Sequence, residues 1–586
     1  VAILLALTCA SACAPSAPLA KPIAPKPDQL VLDVADADVW SEQVRVSGAS
    51  RGAGVLARCE LVAGSARYPA RTDGRTFAGQ VALSPGANDV YASCRARDGR
   101  ALRSSSVRFT VRLTALPEPP ASVAGDIAPP VAWHASAVVY GVVPPLFGTP
   151  PLRSVSRALD RLAALGVSVL WLSPVFATPP GNFGYAVTDY FAVRADYGSA
   201  ADLEQLVSDA HARGLRVVLD LPPNHTSREH PYFVQAAALG RMSHYFEFYD
   251  RDRFGRATHY FDWVDLPNLA YPSVEVERWI SEASAYWLRG FDVDGYRVDA
   301  AWGVAQRDPR FFPAWSRMLR AIEPGALLIA EASARDAYYA GAGFDAAYDW
   351  DEELGHWAWQ GVFDAPAGIA TRLRAALERT AERTSPERVF RFLNNNDTGA
   401  RFITRHGEAL AKVATAALLT LPGIPCLYAF DEVGAEYEPY DQEGPVRAPE
   451  RPELLRFHQQ LVALRRQTPA LHAAGIQFLA REQPDALVFA RYDDRAGAAA
   501  EHALVALNFA AQPVALRAAV PRSLRGLVTR YRDALSGAEV DAGAGEVALT
   551  LPGFGIAILV PIVDNAAGAT RRPLVNEAAG ATRRPP

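Results

Sequence analysis

The sequence predicts an α/β protein built on a closed (β/α)8 barrel, with an N-terminal β-sandwich and a C-terminal antiparallel β domain. Three observations carry that expectation. Between residues 131 and 470 short apolar strands alternate with helix-length amphipathic segments, the pattern of a parallel sheet crossed by helices. Eight such strands can be read in that stretch: VVYGVV, VSVLWLS, LRVVLDL, FDVDGYRVD, ALLIAEA, FDAAYDW, VFRFLNN and GIPCLYAF. On either side, over residues 30–116 and 471–563, the pattern becomes short alternating runs broken by Gly, Asp, Asn and Ser, which reads as all-β.

Residues 1–29 are a short apolar run, VAILLALTCASACA, followed by a Pro- and Ala-rich tether. The run is too short to span a bilayer and has the small residues Ala10, Ser11 and Ala12 before Cys13, so it reads as an export signal. Ala-Ser-Ala-Cys also loosely resembles a lipoprotein box, which makes a lipid anchor at Cys13 an expectation, and the protein is expected to be periplasmic, extracellular or tethered at the cell surface. The segment 30–116, with VRVSG, LARCELV and VRFTVRL, is expected to be an Ig-like sandwich. Cys59 and Cys94 within it read as a disulfide in an exported chain and as two buried thiols otherwise. Its aromatics are few: Trp40, Tyr68 and Tyr91 favour a spacer over a polysaccharide-binding surface.

A second Pro-rich linker covers 116–130. Eight βα units are the count of a TIM barrel, whose functional loops leave the carboxyl ends of the strands. The longest such excursion, residues 224–272 after the third strand, is rich in aromatics and is expected to be an inserted loop subdomain. The apolar run from Val413 to Phe430 is interrupted by Pro422, Gly423 and Pro425, so it reads as a buried helix and strand, not a transmembrane segment. Residues 564–586 repeat AAGATRRP and are expected to be disordered. A net charge of −5 supplies no field to gather the chain on nucleic acid or anionic lipid. All but three of the 59 basic residues are arginine, so an arginine by itself carries little information.

Barrel chemistry belongs where strands run out. Three carboxylates close strand runs: Asp299 ends DGYRVD, Glu331 ends ALLIAE and Asp397 ends RFLNNND. Singly each reads as a helix cap or a turn. On strands four, five and seven, they converge on one mouth.

With their neighbours these residues resemble the α-amylase family, glycoside hydrolase family 13. The matching segments are DLPPNH at 220–225, GYRVDAAW at 295–302, AEAS at 330–333, FLNNND at 392–397 and GYAVTDY at 184–190. The resemblance implies a retaining hydrolase or transglycosylase of α-glucosidic bonds. It makes Asp299 the nucleophile, Glu331 the general acid and base, and Asp397 the clamp on the sugar ring. A retaining mechanism needs two carboxyl groups about 5 to 5.5 Å apart, one ionised and one protonated. Arg297, two residues before Asp299 and so on the same strand face, is expected to hold the nucleophile's pKa low. The resemblance also makes Tyr185, His225, Arg297 and Asn396 substrate-binding residues, with Tyr185 stacking and His225 hydrogen bonding, while Asp220 and Asn224 shape the site.

Two positions depart from the family pattern. Asn396 stands where His usually precedes the third carboxylate; an amide still donates a hydrogen bond but carries no charge. Ala300-Ala301-Trp302 replaces a Lys-His pair that in many α-amylases helps hold calcium or sugar. Calcium needs six to eight oxygen ligands, and LPNLA at 266–270 offers only Asn268 where calcium-dependent relatives carry aspartate, so no metal or other cofactor is expected. The function expected is cleavage of α-1,4 bonds in starch-derived oligosaccharides or cyclodextrins. The alternatives are glucosyl transfer or isomerisation of the maltose-to-trehalose kind, and a glycan-binding barrel without catalysis. The last is disfavoured because all three carboxylates are present.

Overall fold

The computed structural model describes residues 29–117 and 132–562, apart from 53, 352, 443, 480–482, 494–501, 522–527 and 543–544. The apolar run expected to be an export signal, Cys13, most of the second linker and the repeat tail lie outside the described residues. The chain divides into two units.

The first unit holds the residues up to Thr114 together with Tyr232–Phe248. Among the described residues eight strands form one hydrogen-bonded path, in which Gln43–Arg51 pairs with Thr76–Ala82 and Leu56–Ala63 with Gly86–Ala96, and a ninth, Ala101–Arg103, pairs off that path with Gly86–Ala96. Alternation buries Val44, Val46, Leu61, Val81, Val90 and Phe109 on the inner faces. Cys59 and Cys94 form the disulfide. They stand directly opposite each other on adjacent strands, so the bond ties neighbours within one sheet instead of crossing between layers. Trp40 is buried, and Tyr91 is covered by Arg103 at 3.7 Å, which leaves little aromatic surface for sugar.

The expected subdomain at 224–272 needs correction. Its middle, Tyr232–Phe248, belongs with the first unit: Ala35 N donates to Met242 O at 3.1 Å and Gln235 Nε2 to Asp36 O at 2.8 Å. Tertiary contacts assign this stretch, where sequence adjacency pointed to the barrel.

The second unit is built on the barrel. Its strands are β1 (Val139–Val142), β2 (Val169–Leu172), β3 (Arg216–Leu221), β4 (Gly295–Val298), β5 (Leu327–Ser333), β6 (Ala346–Tyr348), β7 (Val389–Phe392) and β8 (Ile424–Tyr428). They close in that order, each parallel to the next, with β8 returning to β1. All eight coincide with the apolar runs read from the sequence. Almost every strand residue is buried, as helices on the outside and side chains within require. The run from Val413 is the buried end of a helical stretch, Phe402–Thr420, that is kinked at Gly407 and leads into β8. Among the described residues no helix is long and apolar enough to cross a membrane. Beyond the barrel, a six-stranded antiparallel sheet and a two-stranded one enclose a second core that includes Val488, Leu504, Leu516 and Tyr531.

Candidate active site

The barrel register sets the site. Asp220 on β3 is level with Arg297 on β4, and Val298 is level with Ala330 on β5. One step further along two parallel strands, Asp299 and Glu331 therefore emerge side by side at the carboxyl-terminal mouth. The β5–β6 ladder shifts register between Ala330 and Ser333, the interval that holds Glu331. Such irregularities re-aim a side chain where a regular strand would hold it against its neighbours.

Arg297 is the hub. It is fully buried, and its Nη1 lies 2.8 Å from Asp220 Oδ1 and 2.9 Å from Asp299 Oδ1. Its Nη2 lies 2.9 Å from Glu331 Oε2, and its Nε donates to Tyr348 Oη at 3.0 Å. The backbone N–H of Ala300, a residue held at φ 44°, also donates to Glu331 Oε2, at 2.7 Å. Asp220 is further fixed by Trp171 Nε1 and Tyr185 Oη, each donating at 3.2 Å. Across the mouth, the Nδ2 of Asn396 faces Asp397 Oδ1 at 3.1 Å, Tyr440 Oη at 2.8 Å and Tyr185 Oη at 3.2 Å, while Tyr440 Oη donates to Asp397 Oδ1 at 3.1 Å.

One guanidinium faces more carboxylates than it neutralises, and the titration follows. Burial raises Asp220 to about 6 against the pull of Arg297. Asp299 is raised well above the usual aspartate range, first by burial and then by the like charge of Glu331, with Arg297 opposing. Asp397 is pushed up to about 7, first by loss of solvation and then by Glu331. Its carboxyl is open to the cleft, so solvent moderates that shift until a ligand covers it. The expectation that Arg297 would hold Asp299 low is thus half met: its charge acts in that direction, but burial and a second carboxylate outweigh it.

The cleft encloses about 430 Å³ and is lined by Glu331, Asp397, Tyr260, Trp302, Trp350 and Trp357, among others. That volume lies within the range of roughly 300–1,000 Å³ common to small-molecule sites. Phe261 lies in the same wall, 5.4 Å from Trp302, and it and the nearby Trp263 are exposed.

Asp299, Glu331, Asp397, Tyr185, His225 and Asn396 gather at one mouth. Arg297 is there too, but fully buried behind the carboxylates, with its guanidinium turned to Asp220, Asp299, Glu331 and Tyr348. Asn396 was expected to donate to substrate; its NH2 is instead spent on Asp397, Tyr440 and Tyr185, and its buried Oδ1 is the atom left without a partner. His225 is buried, and its Nε2 likewise has no partner in hydrogen-bond geometry. Burial and the charge of Arg307 hold the ring to about 3, the nearby Tyr185 carbonyl opposing, so it is neutral at ordinary pH.

Tyr348, Tyr440, Trp350 and Trp357 escaped sequence reasoning, and Trp302 was read only as a departure from the family pattern. Tyr348 ends β6 and was open to the same strand-end rule that found the acids. Tyr440 lies in a loop without periodic signal.

The donor set at Asn224 and Asn268 does not suit calcium. Asn224 Oδ1 accepts from the Arg307 guanidinium, and Asn268 Oδ1 accepts from Asn224 Nδ2 at 3.2 Å. Both oxygens are engaged, and a fixed positive charge sits against them.

Acids grouped around one arginine at the carboxyl-terminal mouth of a closed parallel barrel make this an enzyme of the TIM-barrel class. The model of the α-amylase catalytic domain matches residues 147–446, just over half of the chain, and the chain therefore belongs to the α-amylase family. A second model, the C-terminal domain of maltogenic amylase, matches residues 476–558. Over 432 residues the chain is 29% identical to α-amylase MalA of Haloarcula japonica, covering 72% of this chain and 61% of that protein. It is 29% identical over 426 residues to a cyclomaltodextrinase of Geobacillus thermopakistaniensis, covering 70% and 69%. A match at 28% identity to the intracellular maltogenic amylase of Bacillus subtilis covers 55% of this chain and 56% of that one. Among solved structures, a cyclomaltodextrinase superposes with TM-score 0.65 at 20% identity, over 91% of this chain and 98% of that one. The maltogenic α-amylase AmyB of Thermotoga neapolitana gives TM-score 0.63 at 20% identity, over 73% and 99%.

Proposed function

We propose that this protein is a retaining glycoside hydrolase that cleaves α-1,4-glucosidic bonds in starch-derived oligosaccharides or cyclodextrins. The observation that carries the reading is the meeting of Asp299 and Glu331 at one guanidinium, each 2.9 Å from it, with Asp397 in the same cleft. The relatives named above as cyclomaltodextrinase and maltogenic amylase support the substrate class.

In this reading Asp299 attacks the anomeric carbon as Glu331 protonates the departing glycosidic oxygen. Glu331 Oε2 is held by Arg297 and Ala300 N, so the proton travels on Oε1. The covalent glycosyl-enzyme is then released by water that Glu331 deprotonates. Asp397 grips hydroxyls of the ring being distorted. The buried unpartnered atoms His225 Nε2 and Asn396 Oδ1 complete the contacts, a donor and an acceptor whose hydrogen bonds a sugar hydroxyl supplies. The aromatic walls stack on pyranose faces.

The test is a product profile on maltotriose, cyclodextrin, starch and pullulan with one preparation. Maltose and glucose from the first two, with retention at the anomeric carbon, are expected. Trehalose in excess of glucose from concentrated maltose would instead establish the isomerase alternative, and no turnover of any glucan would overturn the reading.

Export is part of the proposal. The Cys59–Cys94 disulfide suits an oxidising compartment, although one relative's name places it inside the cell. Fractionation of the native host tests this, and palmitate labelling that is lost in Cys13→Ala tests the anchor.

A further inference from the structure

We propose that one face of the short helix Ala301–Arg307 fixes His225 as its neutral Nε2–H tautomer, which makes Arg307 a positioning residue for the histidine that meets the sugar. The proposal rests on the cleft binding glucan as argued above, but its structural core does not.

Gly303 and Arg307 are four residues apart and share a helix face. A Cβ at Gly303 would come within 2.2 Å of Asn224 Oδ1, so only glycine leaves room for that amide. Arg307 Nη2 donates to Asn224 Oδ1 and, at 3.0 Å, to the Asn224 backbone carbonyl. A guanidinium has only donors, so the Asn224 oxygen must face it. The Asn224 NH2 then points the other way, to Asn268 Oδ1 at 3.2 Å and His225 Nδ1 at 3.0 Å.

The opposite end of the chain is fixed as well. Asn268 Nδ2 donates to Thr258 Oγ1 at 3.1 Å, and Thr258 Oγ1 donates to the Asp250 carboxylate at 2.6 Å. Every amide between Arg307 and Asp250 is therefore oriented by a group that only donates at one end and one that only accepts at the other. Nδ1 of His225 receives an N–H and carries no proton, so the ring hydrogen is on Nε2. That atom is buried, unpartnered in hydrogen-bond geometry, and belongs to a ring 5.0 Å from the cleft-lining Tyr260.

The experiment uses full-length protein labelled with [15N]histidine, with the His225 signals assigned by their loss in His225→Gln. Long-range 15N–1H spectra of the wild type are expected to show a protonated Nε2 and an unprotonated Nδ1. Arg307→Met and Gly303→Ala are expected to spoil that single tautomer and to lower kcat on maltotriose roughly tenfold, a part of the about 10²–10³ that complete loss of a transition-state donor costs, with KM changed less than about threefold. Arg307→Lys restores part of the loss. Asn224→Asp, which offers Nδ1 an acceptor, is expected to move the proton to Nδ1. A wild-type His225 that is Nδ1–H or charged overturns the proposal without any variant. So does an Arg307→Met enzyme with an unchanged spectrum and kcat within twofold. The spectrum needs no substrate: a pure Nε2–H ring in a protein inert on every glucan would sink the glucan reading and leave the tautomer assignment standing.

Discussion

Replacing Arg297 by methionine, which fills a similar volume without charge, strips the carboxylate cluster of its counter-ion. Three carboxyl groups lie 2.8–2.9 Å from the guanidinium. With charge centres about 4 Å apart and an effective dielectric constant of about 20, each pairing is worth at most about 4 kcal/mol, or about 3 pKa units. Asp299 already sits above its ordinary value because burial and Glu331 outweigh Arg297. Without Arg297 the one group that opposes burial and Glu331 is gone, and Asp299 is expected to rise further. Hydrolysis needs Asp299 ionised, so the acid limb of kcat/KM moves to higher pH and activity on the acid side falls. Stability changes less than the roughly 3–5 kcal/mol of an abandoned buried charge, because the carboxylates take up protons instead. The assay is kcat/KM on maltotriose from pH 4 to 9 beside thermal melts. Arg297→Lys, a point charge without the fork, is expected to recover part of the pH shift but little of kcat. An Arg297→Met enzyme with an unmoved acid limb and activity within a few-fold of wild type would refute the reasoning.

Glu331→Gln is expected to lower kcat on maltotriose by about 10²–10⁴. It should slow far less the first step on an aryl glycoside whose leaving group needs no proton, measured as a burst of aryl release; equal losses on both would remove Glu331 from the acid role. Asp397→Asn should abolish turnover yet stabilise the ligand-free protein at high pH. The folded value of about 7 lies above the ordinary one, so the wild type keeps this carboxyl's favourable contribution below about pH 4 and loses it as pH rises through 7. The variant does not, and with solvent reaching the group its advantage at pH 8 is about 1–2 kcal/mol, vanishing near pH 4 in parallel denaturation curves. Cys59→Ser/Cys94→Ser opens a cross-link spanning 35 residues and is expected to cost about 3–4 kcal/mol in denaturant melts of the N-terminal unit. Chelator should leave activity unchanged, since the Asn224 and Asn268 oxygens are already engaged; loss that calcium restores would contradict this.

The barrel was legible because a parallel strand buried on both sides writes itself as an unbroken apolar run, and the acids were legible because three of them follow such runs toward one mouth, where a single one would read as a cap or a turn. Asp299, Glu331 and Asp397 were found that way. Periodicity does not report what a loop touches. Tyr440 reaches Asp397 from 43 positions away, and Tyr232–Phe248 leaves the barrel's excursion for the other unit, both decided by tertiary contacts. Charge balance was only partly readable: Arg297 next to Asp299 suggested a lowered pKa, but Asp220 and Glu331 compete for the same guanidinium only once the barrel closes. Gly303 and Arg307 sat in plain view without meaning, one glycine in a short helix and one arginine among many, until folding set Asn224 between them.

The central claim is that Asp299 forms a bond to the anomeric carbon of the substrate. A fluorinated α-glucosyl fluoride, which forms that intermediate faster than it releases it, followed by proteolysis and mass spectrometry, tests it directly. The expected result is one sugar mass on the peptide containing Asp299, absent in Asp299→Asn. A label on another residue, or steady hydrolysis with inverted configuration and no label at all, would contradict it.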